Sequence, residues 1–272
     1  MSTPQKKVAL ITGVSSGIGL ATAKRLAAAG FRVFGTSRKP SDAGSDIEML
    51  TLDVVSGDSV RSAVAEFIKK AGRIDVLVNN AGLGILGGAE ESSIDQARQL
   101  FETNFFGTLR TIAAVLPHMR AQGSGRIINV SSVFGFMPAP FMALYSASKH
   151  ALEAYSESLD HEVRGLGIRV ALIEPAQTRT AFEQNMMTPD SSLSAYDLDR
   201  GLFREAMAHG MAKADPPEVV AEIILKAANS VHPKRRYTAG KTAGLLWLLR
   251  LFAPAASFDQ ALRKTFDLRP LK

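Results

Sequence analysis

The sequence contains no cysteine, which excludes disulfides and thiolate chemistry and agrees with a reducing, cytoplasmic setting. No apolar run reaches the roughly 18 residues of a spanning helix. The opening stretch from Met1 to Lys7 is short and polar and leads directly into an apolar strand, so no secretory signal is expected. Metal ligation also lacks a pattern: His118, His150, His161, His209 and His232 show no ligand spacing, and His161-Glu162 has no second histidine four residues on. The basic residues are scattered and no groove-entering motif is present, which argues against nucleic acid as a partner.

What remains is ordinary globular composition. Of the 272 residues 46% are hydrophobic and 21% charged, enough for one large α/β domain. The net charge of +6 permits attraction to phosphorylated cofactors, acidic carriers or anionic membranes without choosing among them.

Strand and helix patterns alternate along the chain. Apolar Val8 to Ile11 precedes Thr12-Gly13-Val14-Ser15-Ser16-Gly17-Ile18-Gly19, and helical spacing follows from Leu20. Glycines at 13, 17 and 19 let the backbone turn sharply and approach a pyrophosphate, which would rest on the positive end of the next helix. Further strands are expected at Phe31 to Ser37, Ile47 to Val54, Ile74 to Val78, Arg126 to Val130, Gly167 to Ile173 and Arg235 to Thr238. Helices are expected at Ser56 to Lys70, Ser92 to Ala121, Tyr145 to Val163 and Pro217 to Ser230. This alternation implies a single doubly wound domain, with a parallel sheet of about seven strands covered on both faces.

Chemistry gathers where strands end. Ser37-Arg38-Lys39 closes the second strand where NAD-type sites carry an acid, and two cations there favour a 2′-phosphate, hence NADP(H). Asp53 ends the third strand, and Asn79-Asn80-Ala81-Gly82 follows the fourth. Asn104 is a poor helix former inside a helical pattern, either a core hydrogen-bonder or a local break with a task. Tyr145 and Lys149 are four apart, on one helix face if the helix begins near Tyr145. An ammonium there should draw the phenol down from about 10 toward the working pH.

These residues, in this order and spacing, resemble the short-chain dehydrogenase/reductase family over about Lys6 to Gly240. The resemblance implies an NADP(H)-dependent oxidoreductase acting on CH–OH or C=O groups. It makes Tyr145 the acid or base, Ser132 the hydrogen-bond partner of the substrate oxygen, and Lys149 the residue that lowers the tyrosine and binds the nicotinamide ribose. Asn104 would hold a water linking Lys149 to solvent. Gly13, Ser15, Ser16, Gly17, Ile18, Gly19, Asn80, Ala81, Gly82 and Pro175 would line the cofactor, with Arg38 on the 2′-phosphate and Asp53 and Val54 near adenine. Thr178 and Thr180 would face the carboxamide and phosphates. Pro175-Ala176 stands where the family usually has Pro-Gly. Family members are mostly homodimers or homotetramers, and the same assembly is expected here.

Phe134, Phe141 and Phe182 are the aromatic candidates for the substrate wall, together with Ser132 and Tyr145. With the methionines of the loop 176–216 they suggest a wide apolar pocket for a steroid, retinoid or fatty chain. Residues 1–240 are read as the nucleotide-binding and catalytic part and 241–272 as a helical extension. That extension can cover the pocket, pack on another subunit or touch a membrane peripherally. It is similar to the 17β-hydroxysteroid/retinol dehydrogenase-like branch. A 3-oxoacyl-[acyl-carrier-protein] reductase and a non-catalytic NADP(H)-binding sensor stand as alternatives.

Overall fold

The computed structural model describes residues 6–40 and 42–269. The first five residues of the polar N-terminal stretch lie outside the described residues. Seven parallel strands form one sheet: β1 (Val8–Thr12), β2 (Arg32–Ser37), β3 (Ile47–Thr51), β4 (Val76–Asn79), β5 (Gly125–Val130), β6 (Ile168–Pro175) and β7 (Arg236–Ala239). Their order is β3-β2-β1-β4-β5-β6-β7. The winding reverses between β1 and β4, so their carboxyl ends open a crevice at the switch point.

Side-chain alternation sorts the strands onto two cores. Ala9 and Ile11 of β1 face the cluster of α1 (Gly17–Ala28) and α7 (Pro217–Asn229), which contributes Leu26, Val220 and Ile224. Val8 and Leu10 face α2 (Gly57–Ala71), α4 (Gly107–Gln122) and α5 (Ala143–Val163), where Phe67, Ile112, Val115 and Leu159 pack. Helix α2 begins at Ser56, whose side chain accepts the Ser59 N–H at 3.2 Å, and ends at Gly72 in the left-handed conformation.

The helical pattern expected from Ser92 to Ala121 is three segments in one continuous path. Helix α3 (Ile94–Phe101) leads through a π-helical turn, Glu102–Phe106, into α4. The wide turn is marked by the Gly107 N–H donating to the Glu102 carbonyl five residues back. Strand β3 stops at Thr51, earlier than expected, and the chain turns away before Asp53 and Val54. Beyond the sheet, α6 (Asp197–Ala212), α8 (Ala243–Phe252) and α9 (Ala255–Thr265) surround a third apolar cluster at the carboxyl end, with Leu100, Phe134, Tyr145, Phe203, Met207 and Phe266.

Candidate active site

A cleft of about 680 Å³ runs along the carboxyl ends of the strands. Its floor at one end is the glycine turn after β1. Gly13 and Gly17 have φ of 72° and 57°, and a Cβ on Gly19 would stand 2.1 Å from the Gly13 carbonyl oxygen. Only glycine permits that closed turn at the start of α1, where the exposed N–H groups of the helix end favour an anion. Thr12 Oγ1 accepts the N–H groups of Asn80 and Ala81 at 3.0 and 3.1 Å, which fastens the loop after β4 to the same turn.

Ser15, Ser16, Ile18, Asp53, Val54, Gly82, Pro175, Thr178 and Thr180 line the cleft with Gly13, Gly17, Asn80 and Ala81. Gly19 does not; it packs beneath the turn, against Gly13 and the Asn80 side chain. Just past the carboxyl end of β2, Arg38 lines the cleft, exposed and without a partner among the described residues. The hydroxyl of neighbouring Ser37 is buried and likewise has no hydrogen-bond partner. A free guanidinium next to an orphaned hydroxyl fits a phosphate, which accepts from both.

In the middle of the cleft Ser132, Tyr145 and Lys149 converge. The Ser132 hydroxyl accepts the Phe134 N–H at 3.2 Å and hydrogen-bonds the Tyr145 phenol. Ser131 turns to the other side, where its hydroxyl donates to Glu153 at 2.7 Å. Helix α5 starts at Ala143, so Tyr145 and Lys149 share a face, with the ammonium 5.8 Å from the ring centroid. The expected lowering of the phenol is overturned. Burial pushes Tyr145 up to about 12, and the Ser132 hydrogen bond offsets this only in part. Lys149 donates instead to the Val130 carbonyl at 2.9 Å, and burial brings its ammonium down to about 8 against the opposing pull of Glu153.

Asn104 stands behind the cleft wall. Its amide donates to the Leu83 carbonyl at 2.9 Å and to Ser148 Oγ at 3.1 Å, while its oxygen accepts the Leu83 N–H at 2.7 Å. The π turn thus lets one buried side chain tie the loop after β4 to the helix of Tyr145 and Lys149.

The apolar end is walled by Phe134, Phe182, Met186, Met207 and Met211. The Tyr145 ring meets Phe134 edge-on at 6.4 Å and Phe182 at 5.8 Å. Phe141 is not part of that wall. With φ of 57° it points to Tyr196 and Phe203, so its place is in the packing under α6. Gln99 and Thr103, one turn apart across α3 and the π turn, line the cleft without having been singled out from the sequence. Their four-residue spacing was the available signal.

Residues 7–190 match the short chain dehydrogenase family. A 3-ketodihydrosphingosine reductase of Bacteroides thetaiotaomicron is 46% identical over 181 residues, which are 66% of this chain and 67% of that protein. The 17-beta-hydroxysteroid dehydrogenase type 1 of Homo sapiens is 36% identical over 274 residues, 93% of this chain and 83% of its own. A solved short-chain dehydrogenase from Streptomyces avermitilis superimposes with a TM-score of 0.83 at 32% identity, covering 97% of this chain and 98% of the other. Other matching structures hold NADP or NADPH, and one, a 3-ketoacyl-(acyl-carrier-protein) reductase, holds NADH. Fold, cleft and relatives agree: the chain belongs to the short-chain dehydrogenase family and is an oxidoreductase.

Proposed function

We propose that the protein is an NADP(H)-dependent carbonyl reductase for a hydrophobic substrate. The observation that carries this reading is one continuous cleft with a phosphate-suited end at Ser37 and Arg38, the Ser132–Tyr145–Lys149 group at its middle and a phenylalanine–methionine wall beyond. The names of two relatives, a ketodihydrosphingosine reductase and a hydroxysteroid dehydrogenase, specify an oxygen function on a lipid and support the apolar wall as substrate side. Within the single fold, residues 1–240 carry cofactor and chemistry, the loop 176–216 closes on substrate, and 241–272 is the helical extension.

Gly13, Ser15, Ser16, Gly17, Ile18, Asn80 and Thr180 would hold the pyrophosphate region, Asp53 and Val54 the adenine side, and Ser37 and Arg38 the 2′-phosphate. Bound there, NADPH supplies the hydride. Tyr145 Oη gives its proton to the carbonyl oxygen of the substrate, and Ser132 donates a hydrogen bond to that oxygen as negative charge grows on it. The phenolate left behind is stabilised by Lys149, whose ammonium is held in place by the Val130 carbonyl. Asn104 acts one step back, as a positioning residue for Leu83 and α5.

Oxidation of NADPH, followed by absorbance with steroid, retinoid, long-chain keto and carrier-linked 3-oxoacyl substrates, tests the reading, with NADH in parallel. Turnover of one apolar free ketone class with NADPH is the expected result. Turnover confined to carrier-linked substrates would favour the acyl-carrier reductase, and tight NADPH binding with no turnover would overturn the enzymatic reading.

A further inference from the structure

Helix α8 presents two unlike faces. On one, Ala243 is buried and Leu246 packs on the cluster that contains Phe134, Met142 and Tyr145, so the helix backs the apolar wall of the cleft. On the other, Leu245, Leu248, Leu249 and Phe252 follow the i, i+3, i+4, i+7 spacing of one helical stripe. All four are exposed, from 42% at Leu249 to 75% at Phe252, and Leu251 beside them is exposed as well. Five of the twelve exposed large hydrophobic side chains among the described residues therefore fall between 245 and 252. Single exposed leucines are commonplace, but a row of them along one helix marks a contact surface.

The charge of the segment that carries the stripe, 241–269, has one predominant sign. Lys241, Arg250, Arg263, Lys264 and Arg269 stand against Asp259 and Asp267. Lys241 and Arg269 are engaged with Asp215 and Asp199, and Arg263 donates to the Arg269 carbonyl at 2.6 Å and helps hold the Asp199 carboxyl down, whereas Arg250 and Lys264 form no ion pair among the described residues. Arg250 is fixed in direction, since its Nε donates to the Phe136 carbonyl at 3.2 Å and its guanidinium lies over Phe258.

We propose that α8 docks the protein on an anionic phospholipid surface, with the leucine stripe at the acyl boundary and Arg250, Arg263 and Lys264 among the headgroup phosphates. A second copy of this chain is the competing occupant. Pairing two stripes about a twofold axis would bring two borders of predominantly positive charge toward each other with only Asp259 and Asp267 to offset them, whereas phosphates supply the counter-charge in full. Docking through the outer face would hold the cleft wall, on the inner face, about one helix diameter from the lipid from which an apolar ketone arrives.

The test is flotation of the full chain with vesicles of phosphatidylcholine alone and with about one third phosphatidylglycerol, at low and high salt. The expected result is recovery with the anionic vesicles only, weakened by salt and lost in the Leu248→Asp/Leu249→Asp variant. Arg263→Gln/Lys264→Gln should weaken recovery by roughly five-fold per cation removed. Both variants keep NADPH affinity and the turnover of a water-soluble ketone, because neither pair touches the cleft, and NADPH affinity reports that the variant is folded. Equal recovery of wild type and leucine variant overturns the proposal, and so does no recovery of the wild type at low salt. A wild-type dimer that becomes monomeric in the leucine variant, without vesicle binding, assigns the stripe to a second copy and overturns it too. Vesicle recovery needs no turnover, so its outcome is independent of the proposed chemistry.

Discussion

At Tyr145 two influences of opposite sign meet, and burial wins over the Ser132 hydrogen bond, so the phenol keeps its proton up to about pH 12. The buried phenol is thus protonated and able to donate, but as a weaker acid than one tuned near the working pH. Tyr145→Phe keeps the ring contacts with Phe134 and Phe182 and removes only the hydroxyl. Ketone turnover should fall about 10²–10⁴-fold while NADPH affinity, read by fluorescence titration, stays unchanged. Arg38→Asp should do the reverse, weakening NADPH by about 10–100-fold, the worth of a charge-assisted contact, and leaving NADH nearly unaffected. An unchanged ratio would place the 2′-phosphate away from Arg38. Lys149 sets the pH dependence. Its charge is present below about pH 8 and lost above it, so kcat/KM for ketone reduction should hold below that value and decline beyond. A profile level through pH 8 would remove the lysine charge from the mechanism. Tyr145 and Lys149 were legible as a pair on one helix face from their four-residue spacing, and Ser132 only through the resemblance to the family. The direction of Phe141 was not, since it follows from a left-handed backbone that an apolar stretch does not announce.

The helix that carries Tyr145 and Lys149 is braced from behind by charge. Glu153 accepts from Ser131, and the Arg236 guanidinium of β7 donates to Glu153 at 2.6 Å, to Glu157 at 2.8 Å and to Glu174. One cation faces three carboxylates. Glu174 yields: it is fully buried, its second oxygen has no partner, and burial with Glu153 nearby raises its carboxyl to about 7. Between the ordinary 4.5 and that value the folded chain binds a proton that the unfolded chain does not, so stability declines as pH rises through this window. Glu174→Gln lacks that decline. Above pH 7 it should be more stable than wild type by about 1–2 kcal/mol, a few degrees in Tm, with the gain vanishing toward acid pH. A loss of stability above pH 7 would mean that Glu174 is ionised and paired. No local pattern shows this brace, because Arg236 and Glu153 are 83 residues apart. The oddity of Asn104 in a helical pattern was legible, but the π turn that resolves it depends on Leu83 and Ser148, far along the chain.

On the scale of the molecule, the sheet and its two covering layers were legible because strand alternation and helical spacing each report a buried face. The third cluster was legible in part of its membership, Phe134, Phe141, Phe182 and the loop methionines, but not in its assembly, since Ile85, Tyr145, Phe203 and Phe266 come together only through the loops between elements. The lock on those loops is ionic. Glu91, with its side chain fully buried, accepts the N–H groups of Gly88 at 2.6 Å and Leu193 at 2.8 Å and pairs with Arg200 of α6, while its own carbonyl accepts the Ser191 N–H at 3.0 Å. One residue therefore fastens the stretch before α6 to the loop after β4. The Arg200 hydrogen bond holds the Glu91 carboxyl down at about 2, below the ordinary 4.5. A depressed carboxyl stabilises the fold above its unfolded value, and that contribution is lost as pH falls from 4.5 through about 2. Glu91→Gln should cost about 2–3 kcal/mol at neutral pH, somewhat less than an interior pair without relief, because Asp197 still faces Arg200. The difference from wild type should shrink across the same acid window. Hydrogen exchange separates a local from a global effect: a lock predicts faster exchange at Leu193 and a raised KM for the ketone before any loss of the sheet. A variant as stable as wild type at neutral pH, with Leu193 still protected, would reduce Glu91 to an ordinary hydrogen-bond acceptor and leave the closure of the cleft to the apolar contacts alone.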